Sequence, residues 1–287
     1  MALNSPFHRI DIERLDKAAL KERFPAINSE KYKEASFNPI GGYVESGRAI
    51  GKLADYARKL GVVIHEGQTA QEFIIEQNHL KAVKTRKGGL FKCDYAIVAA
   101  GAHSPYLLPE LQSCMRATGH PIFWLKPKDA TLFNTPHLPV FTADIANTGW
   151  YGFPCHPKQG VVKVANHSVG QIIHPEKGKG VVSEKAIEKM RIFLKTAFPS
   201  LLDAPVVYTR LCLYTDTLDG HFWIDHHPEI KGLFVSTGGS GHAMKMAPVL
   251  GFVIADVLEK KKNAWSERFK WRSLSEQTVQ QEEARNW

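Results

Sequence analysis

From Ser46 onward the apolar positions Ile50, Leu53, Ala54, Ala57 and Leu60 recur three and four residues apart. That spacing lines one face of a helix, and Gly61 supplies its stop. Residues 11–23 set Ile12, Leu15, Ala19 and Leu20 among charges and predict a shorter amphipathic helix that ends ahead of Pro25. Val62-Val63-Ile64 predicts a short buried strand. Residues 70–86 alternate instead. Glu72–Glu76 and Leu80–Thr85 predict a hairpin turned at Gln77-Asn78, and Gly88-Gly89 turns the chain back again. Asp94–Ala100 is too apolar to alternate and predicts a central parallel strand buried on both faces. It runs into Gly101, with Ser104 as N-cap and Pro105 as first residue of a short helix.

Beyond residue 115 the pattern changes. Short β-rich segments broken by Pro, Asn and Gly over residues 116–167 predict an antiparallel sheet. Residues 183–196 predict a helix capped by Ser183, with Ile187, Met190, Ile192 and Phe193 inward. Residues 205–215 and 232–237 predict strands, and 244–258 a final helix. The tail after about residue 265 is polar and is expected to be loosely ordered. The fold class that follows is α/β: a parallel sheet with helices, interleaved in sequence with a mixed, largely antiparallel sheet.

The chain has 287 residues, enough for one large domain or two lobes sharing a core. No apolar run approaches the roughly 18 residues that span a bilayer, and the first residues carry no apolar signal-peptide core. The expectation is a soluble, cytoplasmic protein without membrane attachment. Cys93, Cys114, Cys155 and Cys212 are widely spaced and form no CxxC pair, which argues against zinc and against a disulfide framework. The net charge of +8 is dispersed rather than clustered, which argues against a nucleic-acid partner and leaves a modest attraction for anions. Oligomeric state is not legible.

Several residues stand out chemically. Gly238-Gly239-Ser240-Gly241 lies between a predicted strand and a predicted helix, where small residues let backbone N–H groups approach a ligand and the helix end favours an anion. A tight packing turn is the plainer reading. Lys245, one turn into that helix behind His242, suits a carboxylate, or is a surface lysine. Lys163 sits among Val161, Val162 and Val164, and shares a strand face with residues 165 and 167. A charge there needs a partner or a purpose, unless it points to water. His167 alone reads as a satisfied core histidine, and Cys212, between Leu211 and Leu213, as a small core residue. His226-His227 are adjacent on a strand and face opposite ways, so no metal site is expected.

Taken together, Arg210-Leu-Cys-Leu-Tyr-Thr-Asp-Thr with Asp219-Gly-His-Phe-Trp-Ile-Asp-His-His-Pro, Ser240-Gly-His-Ala-Met-Lys245, and Tyr151-Gly-Phe-Pro leading to Lys163 and His167 resemble the monomeric sarcosine oxidases and their pipecolate and fructosyl-amino-acid oxidase relatives. The resemblance covers roughly residues 40 to 272. It implies an FAD-dependent oxidase of secondary amines of sarcosine, pipecolate, saccharopine or fructosyl amino acid type, which produces imine and hydrogen peroxide. It implies FAD joined through the Cys212 sulfur and cradled by Gly101, Gly238, Gly239, Ser240, Gly241 and His242. Lys245 takes the substrate carboxylate, Lys163 promotes reaction with oxygen, and Tyr151 and His167 line the substrate cavity. The partner it implies is a small amino-acid-type molecule. The segments it implies are 1–43 and 116–218 as substrate lobe, 44–115 and 219–265 as FAD lobe, and 266–287 as a polar tail. Eukaryotic relatives of this kind make a peroxisomal location the alternative to the cytoplasm.

The family pattern begins with strand–GxGxxG–helix, and no GxGxxG occurs in this chain. The chain is therefore expected to be N-terminally truncated against that pattern: a fragment, a mis-called start, a splice form or half of a complex. A flavin-free pseudoenzyme or partner-dependent subunit, and a plain anion-binding module, stay open beside the oxidase.

Overall fold

The computed structural model describes residues 11–177, 180–275, 277–278 and 283–285. The first part of the chain forms β1 (Glu13–Asp16), α1 (Lys17–Arg23), β2 (Glu34–Phe37), α2 (Ser46–Lys59), β3 (Ala70–Glu76), β4 (His79–Thr85), β5 (Leu90–Lys92) and β6 (Ala96–Val98). The middle forms α3 (Ser104–Leu107), β7 (Met115–Leu125), β8 (Phe141–Thr142), α4 (Ile145–Thr148), β9 (Trp150–Phe153), β10 (Val162–Asn166), β11 (Gln171–Ile172) and α5 (Glu184–Ala197). The last part forms β12 (Val206–Thr217), β13 (Trp223–His226), β14 (Leu233–Thr237), α6 (Ala243–Leu258) and α7 (Ser266–Phe269). They divide into two units: Met1–Val44 with His120–Ser168 and Gly180–Cys212, and Glu45–Gly119 with Val169–Lys179 and Leu213–Trp287.

In the first unit, β1 and β2 pair antiparallel and α1 packs Leu20 and Phe24 against Leu15. The helix expected over 11–23 thus begins only at Lys17, because Asp16 caps it, accepting the Ala19 N–H at 2.9 Å, and the residues before it pair with β2. The main sheet runs β8-β9-β10-β7, all antiparallel, as the pattern over 116–167 predicts. Gly152 admits close packing on β9: a Cβ there would lie 2.5 Å from Phe141 Cζ and 2.6 Å from the Lys163 carbonyl oxygen. Ser183 caps α5 as expected, accepting the Ala186 N–H at 3.3 Å. The buried stripe of α5 is Met190, Phe193, Leu194 and Ala197. Ile192 falls between those turns and is exposed, against expectation.

In the second unit, β3, β4 and β5 form the expected meander, turned at Gln77 and Asn78 with φ of 49° and 60°. A second sheet has the order β13-β14-β6, with β14 and β6 parallel. Its core is built on Trp223, Leu233, Val235, Val98, Leu111 and Met115. The parallel pairing of β6 matches its apolar run, but its position does not. It ends the strand order, and Tyr95 and Ile97 are exposed rather than buried on both faces. The same holds for α2. The helix forms where its spacing predicts, yet Ile50, Leu53 and Leu60 are exposed. Val62-Val63-Ile64 forms no strand and is exposed too, since no strand among the described residues lies beside it to satisfy its ladder.

Two further expectations change. Ser104 opens α3 as a helical residue instead of capping it, and its hydroxyl accepts from Thr237 at 2.8 Å. The described part of the tail is packed rather than loose, and α7 follows α6. Phe269 is buried, and Arg272 forks onto Asp219 through two 2.8 Å bonds while lying 4.1 Å from the Trp223 ring centroid. Residues 1–10, 178–179 and most of 276–287 lie outside the described residues.

Candidate active site

The candidate residues fall into two groups, one in each unit. In the first unit, strand register brings Lys163 opposite Trp124 on β7 and Phe153 on β9. Residues opposite one another across a ladder share a face, so the three side chains form a row. Lys163 Nζ lies 4.5 Å from the Phe153 ring centroid and 5.9 Å from that of Trp124. Two positions along each strand, Tyr151 pairs with Ala165 and keeps to the same face. His167 follows just past the end of β10 and is buried. Its N–H donates to the Gly149 carbonyl at 2.6 Å, and its ring lies 6.2 Å from that of His120.

Cys212 is half-buried in the middle of β12, which pairs with β7. Burial pushes its thiol up, while Lys163 and Arg210 pull it back toward the thiolate. Burial likewise pulls the Lys163 ammonium below its ordinary value, an effect opposed by Cys212 and reinforced by Arg210. The two groups therefore feel each other's charge. The structure brings Lys163, Cys212 and Tyr151 together on this sheet with His167 at its end.

In the second unit, the parallel β6 and β14 deliver Gly101 and Gly238 to the same edge of their sheet. Gly101 has φ of 52°, and a side chain there would meet nothing within 4 Å. The loop after β14 is stitched to the end of β12. The Ser240 N–H donates to the Thr215 carbonyl at 3.0 Å, and Ser240 Oγ accepts the Thr217 N–H at 3.2 Å. Gly238, with φ of 71°, leaves no room for a side chain, as a Cβ would lie 2.7 Å from Thr217 Cγ2. A Cβ on Gly239 would lie 2.9 Å from that of Ala243. Gly241 takes φ of 79° and His242 occupies the N-cap of α6.

The first turn of α6 has no acidic residue and carries exposed Lys245. A cation at the positive end of a 16-residue helix is electrostatically misplaced unless an anion joins it. His242 feels the same field: burial first, then Lys245 and Arg285, lower it to about 4 against a smaller opposing effect of Asp216. His226 and His227 take unrelated partners, the Val257 carbonyl at 3.0 Å and Glu110 at 2.7 Å. No helix among the described residues is long and apolar enough to cross a membrane.

Sequence reasoning missed four residues. Trp124 and Arg210 could have been found, since one shares a strand face with Ile122 and the other stands two before Cys212. Asp216 and Arg285 could not, because their ion pair joins positions 69 apart.

A family model described as FAD dependent oxidoreductase matches residues 4–257. The chain belongs to this family. Among curated relatives, the L-saccharopine oxidase of Schizosaccharomyces pombe is 28% identical, covering 88% of this chain and 65% of its own length. A monomeric sarcosine oxidase of a Bacillus species is 27% identical over 87% of this chain and 65% of its own. An N-methyl-L-tryptophan oxidase of Salmonella is 29% identical over 86% and 65%. The chain thus spans 65% of the length of these relatives. Among solved structures, the fructosyl amine oxidoreductase Amadoriase I of Aspergillus fumigatus superposes with a TM-score of 0.78 at 23% identity, over 92% of this chain and 64% of that one. This likeness is one of fold, and it agrees with the α/β class read from the sequence.

The residues present fit the group for which the family is named. The open Gly101 and the crowded Gly238-Gly239 place bare backbone at one sheet edge, beside a helix end whose cation has no acidic neighbour in the first turn. Bare backbone beside the positive end of a helix suits an anionic group.

Proposed function

We propose that the chain carries the catalytic residues of an FAD-dependent oxidase of secondary amines of the amino-acid type. The observation that carries this reading is the half-buried ammonium of Lys163, set against Phe153 and Trp124 and sharing its electrostatic field with the Cys212 thiol. A lone structural lysine has no reason to sit there. FAD held by these residues would supply two-electron oxidation of the carbon–nitrogen bond, with oxygen as final acceptor, giving imine and hydrogen peroxide.

The chain's own residues divide the remaining work. Lys163 stabilises negative charge as oxygen is reduced. The Cys212 sulfur would tether the cofactor as a thioether: its S–H and a C–H of a ring methyl give way to the C–S bond, and the two electrons released enter the flavin and pass to oxygen, while Lys163 and Arg210 partly offset the burial that pushes the thiol up. Gly101, Gly238, Gly239, Ser240, Gly241 and His242 hold the cofactor's anionic edge, and neutral His242 leaves that positive field to the helix end and Lys245. Lys245 binds the substrate carboxylate. Tyr151 and His167 bound the substrate.

In this reading residues 1–43 and 116–218 form the substrate lobe, and 44–115 and 219–265 the FAD lobe. The names of the relatives, a saccharopine, a sarcosine and an N-methyl-L-tryptophan oxidase, support an amino acid substituted on nitrogen. The compartment of this reading is the cytoplasm; one human relative is named a peroxisomal sarcosine oxidase, which supports the peroxisome as the alternative.

The test is acid precipitation of the chain purified after incubation with FAD. A yellow pellet supports the reading. A colourless pellet above a yellow supernatant removes the tether, and a chain that never takes up colour removes the oxidase.

A further inference from the structure

Near the end of the chain, Arg285 lies in a single helical turn, Glu283–Arg285, and is 3% exposed. Its guanidinium pairs with Asp216, whose side chain is fully buried. The other Asp216 carboxylate oxygen accepts the Thr118 hydroxyl at 2.5 Å. The turn is held at a second point, where the Ala284 carbonyl accepts the Val169 N–H at 2.9 Å. A buried pair of this kind adds little net stability, because desolvating two charges offsets most of their attraction. What it does is fix the place of the groups it joins.

Asp216 stands between Thr215 and Thr217, the two residues that hold the glycine loop. The Ser240 N–H reaches Thr215, and the Ser240 hydroxyl takes the Thr217 N–H and meets its hydroxyl at 3.2 Å. Ser240 has φ of 42°, a backbone state a serine keeps only where its surroundings hold it. His242 and Lys245 follow directly from this loop.

We propose that Arg285 is a positioning residue. By neutralising Asp216 between the two loop-bearing threonines, it holds the end of β12, and with it the loop's amides, His242 and Lys245, in one arrangement whose net charge suits a carboxylate. The ligand named here rests on the reading of Lys245 given above; the geometry does not. The charged groups acting on His242 are Lys245 from α6, Asp216 from β12 and Arg285 from the terminal turn. Removing Arg285 withdraws a positive charge that acts on His242 and that offsets the Asp216 carboxylate. That raises the affinity of His242 for a proton and repels a carboxylate ligand.

The experiment compares the purified chain with Arg285→Gln, Arg285→Lys and the double variant Arg285→Gln/Asp216→Asn. It reads the His242 titration by NMR, amide exchange at Thr217 and Ser240, and acetate binding. In Arg285→Gln the His242 midpoint moves up, exchange at the two amides speeds about tenfold, and acetate binds about tenfold more weakly. Arg285→Lys retains the wild-type titration. In the double variant the titration returns toward wild type while exchange stays fast, because the charges cancel but the tie is lost. Unchanged exchange and titration in Arg285→Gln overturn the proposal. If that variant does not fold, wild-type exchange in the charge-neutral double variant overturns it equally. A chain that binds no FAD sinks the oxidase reading and leaves these titration and exchange results to decide this one.

Discussion

Lys163 holds its ammonium nitrogen 4.5 Å from the centre of the Phe153 ring, its partner across the β9–β10 ladder. The ring face offers a weak attraction, on the order of 1 kcal/mol, against a desolvation that lowers the lysine pKa. The site therefore keeps a charge that the fold alone does not favour. Lys163→Met is expected to raise stability to denaturant by roughly 1 kcal/mol and to slow reoxidation of the reduced cofactor about a hundredfold. Stopped-flow mixing with oxygen and a urea titration measure the two. Unchanged reoxidation removes Lys163 from the oxygen step.

Cys212 is flanked by two cations, Lys163 and Arg210, that oppose the effect of burial on its thiol. Cys212→Ala is expected to leave the fold within about 1 kcal/mol of wild type and to abolish acid-stable colour while free FAD still binds. Arg210→Gln is expected to slow the appearance of acid-stable colour without removing it, followed as the colour of acid pellets against time. Acid-stable colour in the alanine variant would place the tether elsewhere.

Lys245 sits exposed in the first turn of α6 with no acidic neighbour in that turn. Lys245→Met is expected to raise KM for an N-methyl amino acid about ten- to a hundredfold with a smaller change in kcat. The matching amine without a carboxylate should show no such difference. Equal effects on both substrates would make the lysine a structural cation.

His242 is lowered to about 4, chiefly by burial and then by Lys245 and Arg285. Its unfolded value is about 6.5, so between those limits the unfolded chain binds more protons than the folded one. The stability this group contributes is complete above about pH 6.5 and is lost as pH falls toward 4. Thermal midpoints of wild type and His242→Asn across that range are expected to diverge above pH 6 and converge near pH 4. Parallel curves would show that His242 titrates normally.

The legible parts of this molecule were local. The three-and-four spacing from Ile50 to Leu60 marks α2, and alternation marks the β3–β4 hairpin because its turn residues take positive φ. Most candidate site residues were picked out because they lie in short stretches of distinctive wording: Tyr151 to His167, Arg210 to Asp219, Gly238 to Lys245. What pattern alone missed was context. The apolar runs at Val62–Ile64 and Tyr95–Ile97 predict burial, but burial depends on what lies beside them, and both are exposed among the described residues. Likewise, no periodicity links Asp216 to Arg285 or Asp219 to Arg272, so the packed segment after residue 265 reads in sequence as a loose polar tail.

We propose that the chain oxidises a secondary amine with a bound flavin. This is tested most directly by adding N-methyl amino acid to the FAD-loaded chain without oxygen and recording the visible spectrum. The visible band of the oxidised flavin is expected to bleach, and admitting oxygen is expected to restore it with about one hydrogen peroxide per flavin. A spectrum that stays oxidised across the sarcosine, pipecolate, saccharopine and fructosyl amino acid classes contradicts it.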